Sequence, residues 1–166
     1  MKNTKIQFDL ISQIQNVLHP AGIPFWLRGG WAVDFLLSRI TREHSDIDLV
    51  VWKRHAVQLC GFFGQADFTF MRDTGVQYDF TKYGQEISVV FISQNGDELF
   101  VEGIPEWVWL SGALSLPPQE LDGLFCHVLS PEQLLEEKAG YQRGTERPPR
   151  TKDLQSIKTL NQIIMS

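Results

Sequence analysis

The sequence predicts an α+β fold, a mixed, twisted sheet with helices packed at its N- and C-terminal ends. Three observations carry this. Apolar residues recur at helical spacing near the start, at Ile6, Leu10, Ile11, Ile14, Val17 and Leu18. Strand candidates crowd the middle of the chain. Ser130-Pro131-Glu132-Gln133 then spells a helix start, with Ser as the cap, Pro at the first helical position and Gln at the capping-box position.

The first helix ends at the turn residues His19-Pro20-Ala21-Gly22. Phe25 to Arg28 is short and aromatic, bounded by Pro24 and by Gly29-Gly30, and reads as a strand delivering the chain into a glycine turn before a short helix from Trp31 to Ser38. Ile47 to Trp52 becomes wholly apolar, as a central strand does, and Arg54 to Phe63 reads as a helix. Strands are expected at Phe68–Arg72, Gln77–Lys82 and Glu86–Ser93, the last closed by a hairpin signal, Asn95-Gly96, ahead of Glu98–Glu102. Pro105 to Asp122 has no clean period and is assigned to loop and short extended pieces. Helices follow from Pro131 to Gln142 and from Thr151, joined by the arginine- and proline-rich segment Arg143 to Arg150, whose charge is solvated or faces an anion.

A length of 166 residues fits one domain, 1–166, with 130–166 as a C-terminal helical segment, and 43% hydrophobic residues supply its core. The net charge of -5 argues against a nucleic-acid partner held through phosphates and suits a cationic small molecule better. Cys60 and Cys126 lie far apart without ligand-spaced neighbours, so reduced thiols are expected rather than a disulfide framework or a zinc site. The amphipathic stretch Met1–Gln15 has no apolar signal core, and no apolar run approaches the ~18 residues of a membrane span. A cytoplasmic protein without a membrane partner is expected.

Asp46 and Asp48 open a strand two residues apart, so both carboxylates point to one face with Cα atoms about 6.5 Å apart. Paired hard oxygen ligands at this spacing suit Mg²⁺ and the oxygens of a nucleotide triphosphate. Gly29 and Gly30 before a helix complement them: glycine lets the backbone approach a phosphate, and free N–H groups at the helix start favour its charge. Each feature alone is ordinary, an exposed strand end or a tight turn. Separated by one short helix and loop, they reinforce one another.

The stretch GGWAVDFLLSRITREHSDIDLVVW resembles the nucleotidyltransferase superfamily with the polymerase-β-like core, and within it the small aminoglycoside and lincosamide nucleotidyltransferases. A weaker similarity runs on through SPEQLLEEKAGYQ and PPRTKDLQSI. The resemblance implies Mg²⁺-dependent transfer of a nucleoside monophosphate from a nucleotide triphosphate, ATP by preference, to a hydroxyl of a small molecule. It implies that Gly29 and Gly30 contact triphosphate oxygens, that Asp46 and Asp48 hold metal and act in catalysis, and that Arg42 and His44 flank the nucleotide. Arg42 reads equally as a surface arginine and His44 as a loop cap. Asp34 orients the glycine turn or faces solvent.

The resemblance also implies a third carboxylate on a neighbouring strand, as metal ligand or general base. Here its position falls on Glu86 or on Ser88, which share a strand face. Glu86 is the candidate catalytic and metal residue. If Ser88 stands there instead, activity itself is in question. Lys138, sharing a helix face with Tyr141, and Lys152 are candidate nucleotide ligands; Trp107 and Trp109 stack on a ring substrate or fill a core. Two alternatives stay open: a nucleotide-binding or regulatory protein that has lost transfer, and a nucleotidyltransferase acting on a macromolecule.

Overall fold

The computed structural model describes residues 2–145 and 150–166, with side chains described outside 140–149. Among the described residues, a seven-stranded mixed sheet is built from β1 (Phe25–Arg28), β2 (Asp46–Trp52), β3 (Thr69–Asp73), β4 (Gln77–Lys82), β5 (Gln85–Asn95), β6 (Glu98–Val101) and β7 (Ile104–Val108). A separate hairpin joins β8 (Gln119–Leu121) to β9 (Leu124–Cys126). The helices are α1 (Lys2–Leu18), α2 (Gly29–Leu37), α3 (Ala56–Gln65), which follows a 3-10 turn at Lys53–His55, α4 (Pro131–Thr145) and α5 (Thr151–Met165).

The main path of the sheet runs β1-β2-β5-β4-β3. β2 and β5 pair in parallel, which requires a crossover, and the 3-10 turn, α3, β3 and β4 supply it. The long β5 serves two partners along one edge, pairing with β4 in its first half and with β6 in its second. The Asn95-Gly96 hairpin forms as expected, with Asn95 opposite Glu98 and Gly96 at φ 61°.

One face of the sheet is apolar. Ile47, Leu49, Ile87, Val89 and Phe80 are fully or almost fully buried there, and α1 and α3 pack on that side through residues such as Leu10, Ile14, Leu59 and Phe63. Burying aliphatic and aromatic side chains of this size stabilises the fold by about 1.5–3 kcal/mol each relative to exposure. The opposite face carries Asp46 and Asp48 and is approached by α4 and α5, which pair with each other and contact α2. The outer edge of β1 is bridged by residues 127–129: the Leu27 N–H donates to the His127 carbonyl at 2.9 Å and the Leu129 N–H to the Leu27 carbonyl at 3.0 Å. This bridge carries the chain to Ser130 beside the site.

Ser130 caps α4, its Oγ accepting the Gln133 N–H at 3.2 Å. Only half of the expected capping box forms, because the Gln133 side chain satisfies the Leu110 N–H at 2.8 Å. The short extended pieces expected among the loop from Pro105 to Asp122 are most of β7 and all of β8. Pro105 sits in β7 because that strand pairs only with β6 and needs no donor on its outer side. α2 begins two residues earlier than expected, so the glycine pair forms its first turn.

Candidate active site

β1 ends at Arg28, opposite Asp48 in the antiparallel register, and the chain then turns sharply through Gly29 at φ 69°. The turn brings the Gly29 backbone over the neighbouring strand: a Cβ there would lie 2.5 Å from Asp48 Oδ2. Glycine is required twice over, by conformation and by space. A Cβ on Gly30 would collide with His44 Nδ1, lie 2.6 Å from His44 Cε1 and 3.0 Å from the Arg42 guanidinium. The first turn of α2 is thus wedged between the Asp48 carboxylate and the Arg42–His44 loop.

That loop is fixed from below. Asp34, fully buried on α2, accepts from Thr41 Oγ1 at 2.6 Å and pairs with His44 Nε2 at 2.6 Å. Gln7 of α1 donates to the His44 carbonyl at 3.1 Å and to Gln85 Oε1 at 2.8 Å, and accepts from the Trp31 indole at 2.8 Å. The Asp34 contact occupies His44 Nε2. His44 Nδ1 is buried and has no hydrogen-bond partner among the described residues.

A cavity of about 230 Å³ opens above these elements. Gly29, Gly30, Asp46 and Asp48 form one wall; Glu137 and Lys138 of α4, Lys152 and Asp153 of α5, and Arg150 form the other, with Arg42 and His44 at the end. Burial pushes the Asp48 carboxyl up to about 7; Arg28 opposes that shift, and the Asp46 and Glu137 charges add to it. Burial also works against the Arg28 charge, but Glu137, 3.1 Å from its Nε, together with Asp48 and Asp46 holds the guanidinium above its ordinary value. On the opposite wall, burial lowers Lys152, with Arg150, Arg42 and Lys138 contributing through repulsion. The lining thus combines the carboxylates Asp46, Asp48, Glu137 and Asp153 with the cations Arg28, Arg42, Lys138, Arg150 and Lys152.

A second cavity of about 510 Å³ adjoins the first and shares Arg28 and Glu137 with it. Its wall is apolar at Val90, Val101 and the buried Trp109, with the half-exposed Trp107 at its side, and Glu106, Glu136 and Glu137 add carboxylates.

Eight expected site residues therefore meet in one place: Gly29, Gly30, Arg42, His44, Asp46, Asp48, Lys138 and Lys152 all line the first cavity. Glu86 does not. It pairs with Asp46 in register, but its side chain is exposed and outside the cavity lining, and among the described residues no three of His, Cys, Asp and Glu group as metal ligands. Its place at the start of β5, beyond the cover of α4 and α5, explains the exposure. The Tyr141 side chain, and residues 146–149 of the expected linker, lie outside the described residues. Asp34 is buried, which removes its solvent-facing reading. Arg28, Glu137 and Asp153 were not expected; Arg28 directly precedes the glycine pair, and Glu137 and Asp153 each adjoin an expected lysine, so proximity was the available signal.

Comparison with known proteins agrees with this geometry. The model of the aminoglycoside-2''-adenylyltransferase family matches residues 10–160. A 2''-aminoglycoside nucleotidyltransferase of Klebsiella pneumoniae is 30% identical over 110 residues, which are 66% of this chain and 54% of that protein. The chain thus aligns with about half the length of that relative. A lincosamide resistance protein of Staphylococcus haemolyticus is 37% identical over 49 residues, 30% of each chain. Among solved structures, ANT(2'')-Ia in complex with adenylyl-2''-tobramycin superposes with a TM-score of 0.83 at 21% identity, covering 96% of this chain and 90% of that one. The lincomycin-bound lincosamide antibiotic adenylyltransferase LnuA gives 0.74 at 20% identity, covering 92% and 95%. These last two likenesses establish the shared nucleotidyltransferase fold. Since the family model runs from α1 well into α5 and takes in every residue lining the first cavity, the chain belongs to the aminoglycoside-2''-adenylyltransferase family.

Proposed function

We propose that the protein transfers a nucleoside monophosphate from a nucleotide triphosphate, ATP, to a hydroxyl of a small, ring-bearing amine of the aminoglycoside type, and releases pyrophosphate. The carrying observation is the first cavity, whose lining holds the paired carboxylates Asp46 and Asp48 together with the cations Lys138, Arg150 and Lys152 and, at its end, Arg42. An anion held there by cations alone would not need Asp46 and Asp48. A triphosphate accompanied by divalent metal uses both walls.

Asp46 and Asp48 fit Mg²⁺: both are carboxylates on one strand face, and burial, which raises Asp48 to about 7, disfavours a bare carboxylate that a bound cation would compensate. When bound, Mg²⁺ would neutralise phosphate charge and polarise the α-phosphate toward attack. The chain's own residues do the rest. The backbone at Gly29 and Gly30 gives phosphate oxygens close access to the N-terminus of α2, and Arg42 and Lys152 attract the outer phosphates. Arg28, held by Glu137, stands between the two cavities and separates the nucleotide from the acceptor.

The second cavity receives the acceptor. Glu106 and Glu136 at its side suit amine groups, and Trp107 offers a face to a sugar or other ring. Its apolar wall favours a second reading, a lincosamide-type acceptor with fewer charges. Incubating the protein with radiolabelled ATP, Mg²⁺ and a panel of aminoglycosides and lincosamides separates the two. The expected product is an adenylylated aminoglycoside. Label appearing on lincosamides alone favours the second reading, and no label on any acceptor refutes transfer to small antibiotics.

A further inference from the structure

Five residues on neighbouring strands form one polar row across the sheet. The register sets Arg28 beside Asp48, Asp48 beside Ser88, Ser88 beside Asp79, and Asp79 beside Arg72. Paired residues of adjacent strands project to the same face, one strand spacing of about 4.8 Å apart. Arg28 and Asp48 belong to the first cavity, while Val90 and Gln77, two residues along from Ser88 and Asp79, line the second. Ser88 itself is buried and lines neither cavity; it lies in the row between Asp48 of the first cavity and the edge of the second formed by Val90 and Gln77.

The pair beyond Asp48 is organised for proton transfer. Ser88 and Asp79 are 7% and 6% exposed, and Ser88 Oγ donates to Asp79 Oδ1 at 3.0 Å. Gln77 Nε2 donates to Asp79 Oδ1 at 2.7 Å and lies 3.3 Å from Ser88 Oγ, while Arg72 Nε holds Asp79 Oδ2 at 2.6 Å. These contacts turn one carboxylate oxygen toward the serine and leave the Ser88 oxygen a lone pair to accept a further proton. An attacking hydroxyl must lose its proton to some group, and in the transfer proposed above Asp46 and Asp48 are assigned to holding Mg²⁺. Glu86 is exposed and lies in the neighbouring row with Asp46.

We propose that Ser88 and Asp79 relay the proton of the acceptor hydroxyl, a reading that rests on the nucleotidyl transfer proposed above. The acceptor oxygen bonds to the α-phosphorus of the triphosphate, and the bond from that phosphorus to the bridging oxygen of the β-phosphate breaks. The electron pair leaves with pyrophosphate. As the bond forms, the acceptor proton passes to Ser88 Oγ and the Ser88 proton passes to Asp79 Oδ1. Ser88 touches the acceptor, whereas Asp79 acts through Ser88 and is held in place by Arg72 and Gln77. A carboxylate one strand farther from Asp48 can serve in this way because the serine bridges the gap.

Ser88→Ala, Ser88→Thr and Asp79→Asn test the relay, with turnover followed on the acceptor that the parent modifies and ATP affinity measured by calorimetry. Ser88→Ala and Asp79→Asn should lower kcat about 10²-fold or more, the scale of a positioned general base. The KM and affinity for ATP should stay within about twofold, because the relay acts in the transition state. Ser88→Thr keeps the hydroxyl and should retain most of the turnover, which a role in packing alone would not predict. If Asp79→Asn fails to fold, the comparison of Ala with Thr at position 88 decides by itself. Parental turnover in Ser88→Ala, equal losses in Ala and Thr, or loss of ATP affinity in step with kcat each overturn the relay. So does a loss confined to Glu86→Gln. A parent that modifies no acceptor refutes the transfer reading together with the relay; an active parent indifferent to these substitutions refutes the relay alone.

Discussion

His44 Nε2 lies 2.6 Å from Asp34 Oδ2, with both side chains buried, and this contact ties the body of α2 to the loop that feeds β2. The same imidazole faces Gly30 with its other nitrogen, so Asp34 sets the orientation of a group at the nucleotide cavity without touching that cavity itself. Asp34→Asn removes the charge from a hydrogen-bonded pair and leaves buried groups poorly matched, which should cost about 1–3 kcal/mol of stability. Urea unfolding measures that loss. Calorimetry should also show weaker ATP binding, and an Asp34→Asn protein as stable and as tight-binding as the parent would show that the pair merely fills space.

Glycine substitutions should sort by what surrounds them. Gly30→Ala directs a methyl group into the His44 ring, and Gly29→Ala meets Asp48 at a backbone conformation that costs a side chain about 1–2 kcal/mol. Both should lower ATP affinity by at least tenfold, about 1.4 kcal/mol, while remaining folded at reduced temperature. Gly61→Ala in α3 meets nothing within 4 Å and should instead stabilise the protein by up to about 1 kcal/mol through helix propensity. Thermal melts of the three variants, with ATP titrations, check the contrast.

Much of the frame was legible because local signals agreed with tertiary need. The boundaries of β1 and β4 matched the sequence reading, the Asn95-Gly96 hairpin formed, and Ser130 capped α4. Short extended pieces were expected where β7 and β8 lie, but their bounds, and β9 altogether, were not legible because these strands are short, have no alternating pattern, and exist through pairing with neighbours rather than through periodicity. Gly29, Gly30, Asp46 and Asp48 were legible for a related reason: they lie close in sequence, and one short helix returns the chain to its own turn. The rest of the site is assembled at long range. Arg28 and Glu137 are 109 residues apart, and the adjacency of Ser88 and Asp79 depends on a register that period two cannot supply. Period two placed Glu86 and Ser88 on one face; burial in the folded sheet distinguishes them, Ser88 being buried and Glu86 exposed.

Removing the carboxylates should separate charge from shape. Asp46→Asn combined with Asp48→Asn keeps the side-chain outline while withdrawing the negative charge of one wall, and Arg28 is then left with Glu137 as its close partner. ATP titrated with and without Mg²⁺ should show a metal-dependent gain in affinity for the parent and none for the double variant. An equal metal dependence in both would remove Asp46 and Asp48 from the proposed metal site.

Asp153 joins the pH response of the fold to the cationic wall. Burial opposes its charge, but hydrogen bonds from Arg150 Nε and Lys138 Nζ, each at 2.8 Å, outweigh burial and hold the carboxyl below its ordinary range. The unfolded chain therefore binds the proton more readily than the folded one. The stabilisation from this group is fully present above the unfolded value of about 3.9 and is lost as pH falls through the lower folded value. Asp153→Asn should be less stable than the parent at neutral pH, by a gap that holds steady down to about pH 5 and closes progressively below about pH 4. Urea unfolding across that range reads the gap directly. Because Lys138 and Arg150 lose their shared anchor, ATP binding at neutral pH should weaken in the same variant. A gap that persists undiminished at pH 3 would show that Asp153 acts through packing rather than through its charge.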